Sequence, residues 1–314
     1  MKLKGVLILQ CAYCGKEAKG TKEHIISCAI LNLFPECYLT FDIARNTIHG
    51  ADPIIKDVCA DCNNNKISYI DNYAKEFISK YFIRKYNEED NVEIEYDYVM
   101  IQKMLLKYAF NDMRSHKEDC SFFDQDMLHY LMNIYDNIPK ENVTVLCGVA
   151  INVSPMPDAM FGNLKLRWCK VPLFYSNSTI RNIDYETGQV FLNKNVEKEE
   201  FPDLKLSYLF RFNSVQFLLM CSDRNSDKIE QNNIVLECQY PYYLMKANDE
   251  KAVLPLCTDE LNYHKFEHIH VRWDGLFEVG LMRKYASGGT YDYKESYEKK
   301  WKDEEKRIRE KYPR

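Results

Sequence analysis

Apolar residues in the first 85 positions come in short runs separated by polar residues. The run Val6–Leu9 predicts a β-strand leading into Cys11, and Ile25-Ile26 predicts a short strand after His24. "SCAILNLF" (27–34) predicts a short helix. Residues 63–85 place Ile67, Ile70, Ala74, Phe77, Ile78 and Tyr81 at i, i+3, i+4, i+7 spacing, the stripe of an amphipathic helix that begins just after Cys62. The acidic, polar stretch at 86–96 breaks the pattern and reads as a linker. Two helices are expected beyond it, over 99–113 and 124–138, the second stopped by Pro139.

From about residue 142 the period shortens. Residues 143–153 are β-rich, 164–168 alternate, and 183–193 read as a hairpin turning at Gly188. "YLFRF" (208–212), "VQFLLM" (215–220) and "IVLECQY" (234–240) continue the set of strands. The charge-dense residues 294–312 predict a solvated terminal helix. The expected class is α+β. A small N-terminal module (1–85) precedes a larger α+β domain (97–314) built on a mixed or antiparallel sheet.

Composition supports a folded chain: 46% of the 314 residues are hydrophobic and 28% charged. The net charge of -5 does not mark a nucleic-acid binder by itself. Its distribution changes that picture. Residues 1–85 hold 12 Lys+Arg against 9 Asp+Glu, and the remainder holds 30 against 38, so a phosphate-facing surface is expected in the first part. Four of the 12 cysteines form two close pairs. The other eight are scattered, mostly among apolar neighbours, as buried thiols are in a reducing cytosol. Val6–Leu9 is shorter than the roughly 7 residues of a signal-peptide core, and no run approaches the ~18 apolar residues of a membrane span. A soluble, cytoplasmic protein is expected.

The paired cysteines are Cys11/Cys14 and Cys59/Cys62. Each Cys-x-x-Cys knuckle aims two thiolates at one point, and two knuckles complete the tetrahedral shell of a structural zinc ion. A thioredoxin-like redox motif needs one such pair in a βαβ unit, not two. The long insert between the pairs holds Glu23-His24. A Glu-His pair alone means little, and Glu267-His268 is another. Here a knuckle precedes it, apolar residues follow it, and Asn63 comes directly after the last cysteine, at the start of a helix.

This arrangement resembles the HNH endonucleases, whose members carry Cys-x-x-Cys, then Asp/Glu-His-Ile-Ile-Pro, then Cys-x-x-Cys-Asn on a ββα-metal fold. The matching residues here are Cys11/Cys14, "EHIIS" (23–27) and Cys59/Cys62-Asn63, over about the first quarter of the chain. The resemblance implies His24 as general base, with Glu23 and Asn63 as ligands of a catalytic Mg²⁺ or Mn²⁺ beside the structural zinc. It implies phosphodiester hydrolysis, of DNA in preference to RNA, leaving a 5′-phosphate and a 3′-hydroxyl. Restriction or anti-phage defence is a frequent setting for such modules, so a homodimer or a companion defence protein is a candidate partner. The sequence departs from the family's pattern at Ser27, where Pro is usual, and at Ile54, where the family's middle Asn belongs. Asn46, Asp52 and Asp57 are candidates to orient His24 in its place. The alternative reading is a non-catalytic, zinc-stabilised nucleic-acid-binding or scaffold protein. The histidines His264, His268 and His270 lack a partner that would complete a metal shell.

Overall fold

The computed structural model describes residues 8–34, 40–42, 47–49, 51–84, 86–134, 137–151, 173–177, 182–183, 190–191, 203–239 and 242–258. Its class is α+β, with helices and mainly antiparallel sheets.

The described residues open with β1 (Ile8–Gln10) and β2 (Glu17–His24), joined through the first cysteine knuckle. Gly15 turns that knuckle at φ +70°, a conformation open to glycine at no steric cost. A short helix, α1 (Cys28–Leu31), follows, started by the Ser27 hydroxyl accepting from the Ala29 N–H at 3.2 Å. Next come the hairpin β3 (Thr40–Asp42) and β4 (Thr47–His49), then β5 (Ile54–Cys59), which pairs antiparallel with β2. A Cβ on Gly20 would lie 2.0 Å from the Lys56 carbonyl oxygen, so this close crossing of β2 and β5 requires glycine. A π-type turn (Cys62–Lys66) leads into α2 (Ser68–Tyr81), which buries Ile70, Ala74, Phe77 and Ile78. That face carries the predicted stripe. Ile25 and Ile26, expected as a strand, instead form a bend after β2 ends at His24, and both are buried there.

The 86–96 stretch contains β6 (Val92–Glu95), and the apolar core runs on past it. The helix α3 (Tyr98–Ser115) is capped by Asp97, whose carboxylate accepts from the Met100 N–H at 3.1 Å. Every residue of α3 from Ile101 to Met113 is buried. The next helix, α4 (Gln125–Leu131), is shorter than expected. Asn133 takes φ +56° and the Ile134 N–H reaches back to the His129 carbonyl, closing the helix well before Pro139.

The second sheet begins with β7 (Val143–Ile151) and β8 (Leu173–Asn177). The short β9 (Asn182–Ile183) and β10 (Val190–Phe191) pair as a separate hairpin. The long hairpin of β11 (Leu204–Phe212) and β12 (Val215–Ser222) turns through Asn213 at φ +55°.

Residues 234–240 were expected to be a strand, but they lie largely in the helix α5 (Ile229–Gln239). The apolar triplet Ile234–Leu236 is too short to set a period, and polar residues on both sides let the backbone close a helix. Only part of the triplet is buried: Leu236 is, whereas Ile234 is 56% exposed.

The chain then forms β13 (Tyr243–Leu244), β14 (Lys251–Leu254) and β15 (Leu256–Thr258). The resulting six-stranded sheet runs β13-β7-β12-β11-β8, with β15 parallel to β7, so it is mixed. β14 leaves it to pair with β6. The stretches expected at 164–168 and 294–312, and His264, His268 and His270, lie outside the described residues.

Candidate metal centre and active site

Cys11, Cys14, Cys59 and Cys62 converge, their sulfurs all within 4.8 Å of one another. Cys14 Sγ and Cys59 Sγ are 3.8 Å apart. Four sulfurs held about 2.3 Å from a tetrahedral zinc would be separated by about 3.8 Å. Backbone N–H groups already point at the sulfurs, Cys59 N–H at Cys11 Sγ (3.3 Å) and Cys62 N–H at Cys59 Sγ (3.4 Å). Burial opposes ionisation of Cys11, but backbone N–H groups of Cys14, Cys59 and Tyr13 outweigh it and bring the thiol down to about 7. Donor type, spacing and enclosure fit one structural metal ion. The cluster joins the loop after β1 to the end of β5 and the start of the π-type turn.

Glu23 and His24 are neighbours at the end of β2, so their side chains leave opposite faces. His24 faces outward. Its Nε2 lies 3.8 Å from Asp52 Oδ2, and the two side chains are 29% and 27% exposed. Of the three groups that could stand in for the missing Asn, Asp52 is therefore the one beside the imidazole. Asp57 is instead bound to Arg114 at 2.6 Å, and Asn46 lies outside the described residues.

Glu23 points inward and is only 4% exposed. Its Oε1 meets Lys107 Nζ at 2.9 Å and accepts from Asn111 Nδ2 at 3.2 Å. Lys107 also contacts Asp71 Oδ1 at 2.6 Å, and Tyr108 OH donates to the same oxygen at 3.3 Å. Desolvation works against the buried ammonium, but Asp71 and Glu23 outweigh it and raise its pKa, so it stays charged. Asn63 Nδ2 donates to Thr21 Oγ1 (2.9 Å) and to the Lys22 carbonyl (3.1 Å), which fixes Asn63 against the backbone of β2. Glu23 and Asn63 thus have different partners. A divalent cation on Glu23 would have to take over the place of the Lys107 ammonium.

Sequence reading missed the contribution of α3. Lys107, Asn111 and Arg114 follow one another at i, i+4, i+7 on one face of this helix and meet the N-terminal module. Asn111 makes four hydrogen bonds. Its amide nitrogen donates to Glu23 Oε1 and to the His24 carbonyl (3.1 Å), and its oxygen accepts from Tyr13 OH (2.9 Å) and Arg114 Nη2 (2.6 Å). Tyr13 lies between the first two cysteines and packs edge-on against Phe110 at 5.3 Å. The available signal was a polar stripe on an otherwise apolar helix, which a solvated helix and a buried network produce alike.

No family model, curated protein or solved structure matches this chain. Among the described residues no helix is long and apolar enough to cross a membrane.

Proposed function

We propose that this chain is a metal-dependent endonuclease of the HNH type that hydrolyses phosphodiester bonds, in DNA in preference to RNA. The observation that carries the reading is the four-cysteine cluster next to a strand that ends in a half-exposed histidine beside a carboxylate. Asp52 lies on the Nε2 side of the imidazole, so in the tautomer that carries its proton on Nε2 the basic nitrogen of His24 is Nδ1. That nitrogen takes the proton of a water attacking phosphorus in line, and the Asp52 carboxylate favours the imidazolium that forms. Asn111 holds the His24 carbonyl and so fixes the end of β2 from which the imidazole projects. The cluster's zinc would hold the knuckles together and take no part in the reaction. When bound, Mg²⁺ or Mn²⁺ would supply positive charge to the phosphoryl oxygens, and Glu23 would join its ligands only by giving up the Lys107 ammonium.

The Lys107–Glu23 ion pair favours a second reading, a zinc-stabilised nucleic-acid-binding or scaffold protein without catalysis. In it, Glu23 serves only to bind α3. Plasmid and single-stranded substrates incubated with Mg²⁺ or Mn²⁺ separate the two. Wild type should cut, and His24→Ala should not, while keeping the zinc of its four-cysteine cluster and its melting temperature. Equal cleavage by His24→Ala would remove the base assignment, and no cleavage by wild type would leave the binding reading.

A further inference from the structure

His24 has two neighbours that supply metal-ligand atoms of different kinds. Cys28 stands at the start of α1, and Asp52 lies just ahead of β5. The His24 nitrogen, the Cys28 sulfur and a carboxylate oxygen of Asp52 lie within 4.8 Å of one another. The 3.8 Å between His24 Nε2 and Asp52 Oδ2 is too long for a hydrogen bond and close to the separation of two ligands on one ion. Nitrogen and oxygen ligands at about 2.0–2.2 Å and sulfur at about 2.3 Å stand roughly 3.4–3.6 Å apart around a tetrahedral ion, so small side-chain rotations close the set. Both His24 and Asp52 are partly open to solvent, and the Cys28 thiol is exposed, so a metal can enter from outside.

We propose that His24, Cys28 and Asp52 form a second, three-ligand metal site, separate from the four-cysteine cluster, that takes zinc or a similar transition ion and switches off His24 as a base. Imidazole plus thiolate selects a borderline or soft cation over Mg²⁺ or Mn²⁺, which prefer all-oxygen shells. Three protein ligands leave the fourth position to water, so the site is exchangeable where the cysteine cluster is closed. Binding releases the thiol proton to solvent. The consequence for His24 follows from its tautomer. An imidazole with metal on Nε2 carries its single proton on Nδ1 and has no lone pair left to accept another. The same donors thus serve either a base or an ion, and the ion's availability decides which.

The site stands apart from the nuclease reading, and only its inhibitory consequence rests on that reading. Full-length wild type and Cys28→Ser are brought to equilibrium by dialysis against excess zinc, and bound metal is counted by elemental analysis. Cys28 is exposed, so the serine variant keeps the fold. About two zinc ions per wild-type chain and about one in Cys28→Ser are expected, the cysteine cluster accounting for the one that stays. An equal count in the two proteins overturns the site. In Mg²⁺-supported cleavage, Cys28→Ser should need about tenfold or more zinc for half inhibition than wild type, at the same rate without zinc. Equal sensitivity overturns the switch. If the chain cuts no nucleic acid, the nuclease reading falls and the dialysis count alone decides the site.

Discussion

Lys107 is fully buried and shared between two carboxylates, Glu23 at 2.9 Å and Asp71 at 2.6 Å. A buried ion pair of this kind adds little over a well-packed apolar group, but breaking it from one side is costly, because a charge then stays buried without its partner. Lys107→Met should therefore destabilise the protein by about 3–5 kcal/mol, read from urea unfolding. The double variant Lys107→Met/Glu23→Gln should recover part of the loss, since it removes the more deeply buried of the two stranded carboxylates. If the single variant unfolds at the wild-type midpoint, the network is not a structural one. The same pair bears on catalysis. While Lys107 neutralises Glu23, a divalent cation must compete with it for that carboxylate.

The N-terminal elements are short and β2 is mostly polar, so neither propensity nor burial alone accounts for their order. The cysteine cluster supplies the missing constraint. It joins the loop after β1 to the end of β5, with the π-type turn leading on into α2. Because a metal site that forms with the fold adds its binding energy to folding, Cys59→Ser should lose zinc and melt this segment. Elemental analysis and circular dichroism check the two halves of that expectation. Folded wild-type protein without zinc would refute it. Strand geometry does the rest at this scale. Alternation along β2 sends Glu23 inward to α3 and His24 outward to Asp52, so two adjacent residues work in separate environments.

Across the whole molecule, the 97–114 segment belongs to the packing of the first 85 residues as much as to the second sheet. Tyr13, Glu23, the His24 carbonyl, Asp57 and Asp71 all find partners on α3. On its other side Tyr108 packs near Phe212, ring centroids 6.5 Å apart, and Asp112 accepts from Tyr208 OH at 2.7 Å. A fragment of residues 1–96 leaves these groups unpaired and its apolar face bare. It should be poorly soluble or only partly folded, whereas 1–132, which retains α3 and α4, should hold zinc more firmly. Amide exchange and zinc content of the two fragments test this. A 1–96 fragment as well protected as the same residues in the full chain would show that α3 is dispensable.

The sequence alone determined the elements whose signal is local. The 3.6-residue stripe marks α2, the apolar run marks α3, β-rich runs mark β7, β11 and β12, and the repeated Cys-x-x-Cys spacing marks the four cysteines that cluster. Each of these follows from the geometry of a few consecutive residues. Local signals failed where several structures share one pattern. Residues 234–240 suit a strand or a helix, and α4 stops at a left-handed Asn133 rather than at the more conspicuous Pro139. Tertiary structure alone decided the surroundings of the candidate site. It put Asp52 and Cys28 beside His24, bound Asp57 to Arg114, and set Lys107 against Glu23 across more than 80 residues of chain. The reason is physical. Periodicity shows which face of an element is apolar, but a buried charge is placed by the partner that compensates it, and that partner is chosen by how elements pack.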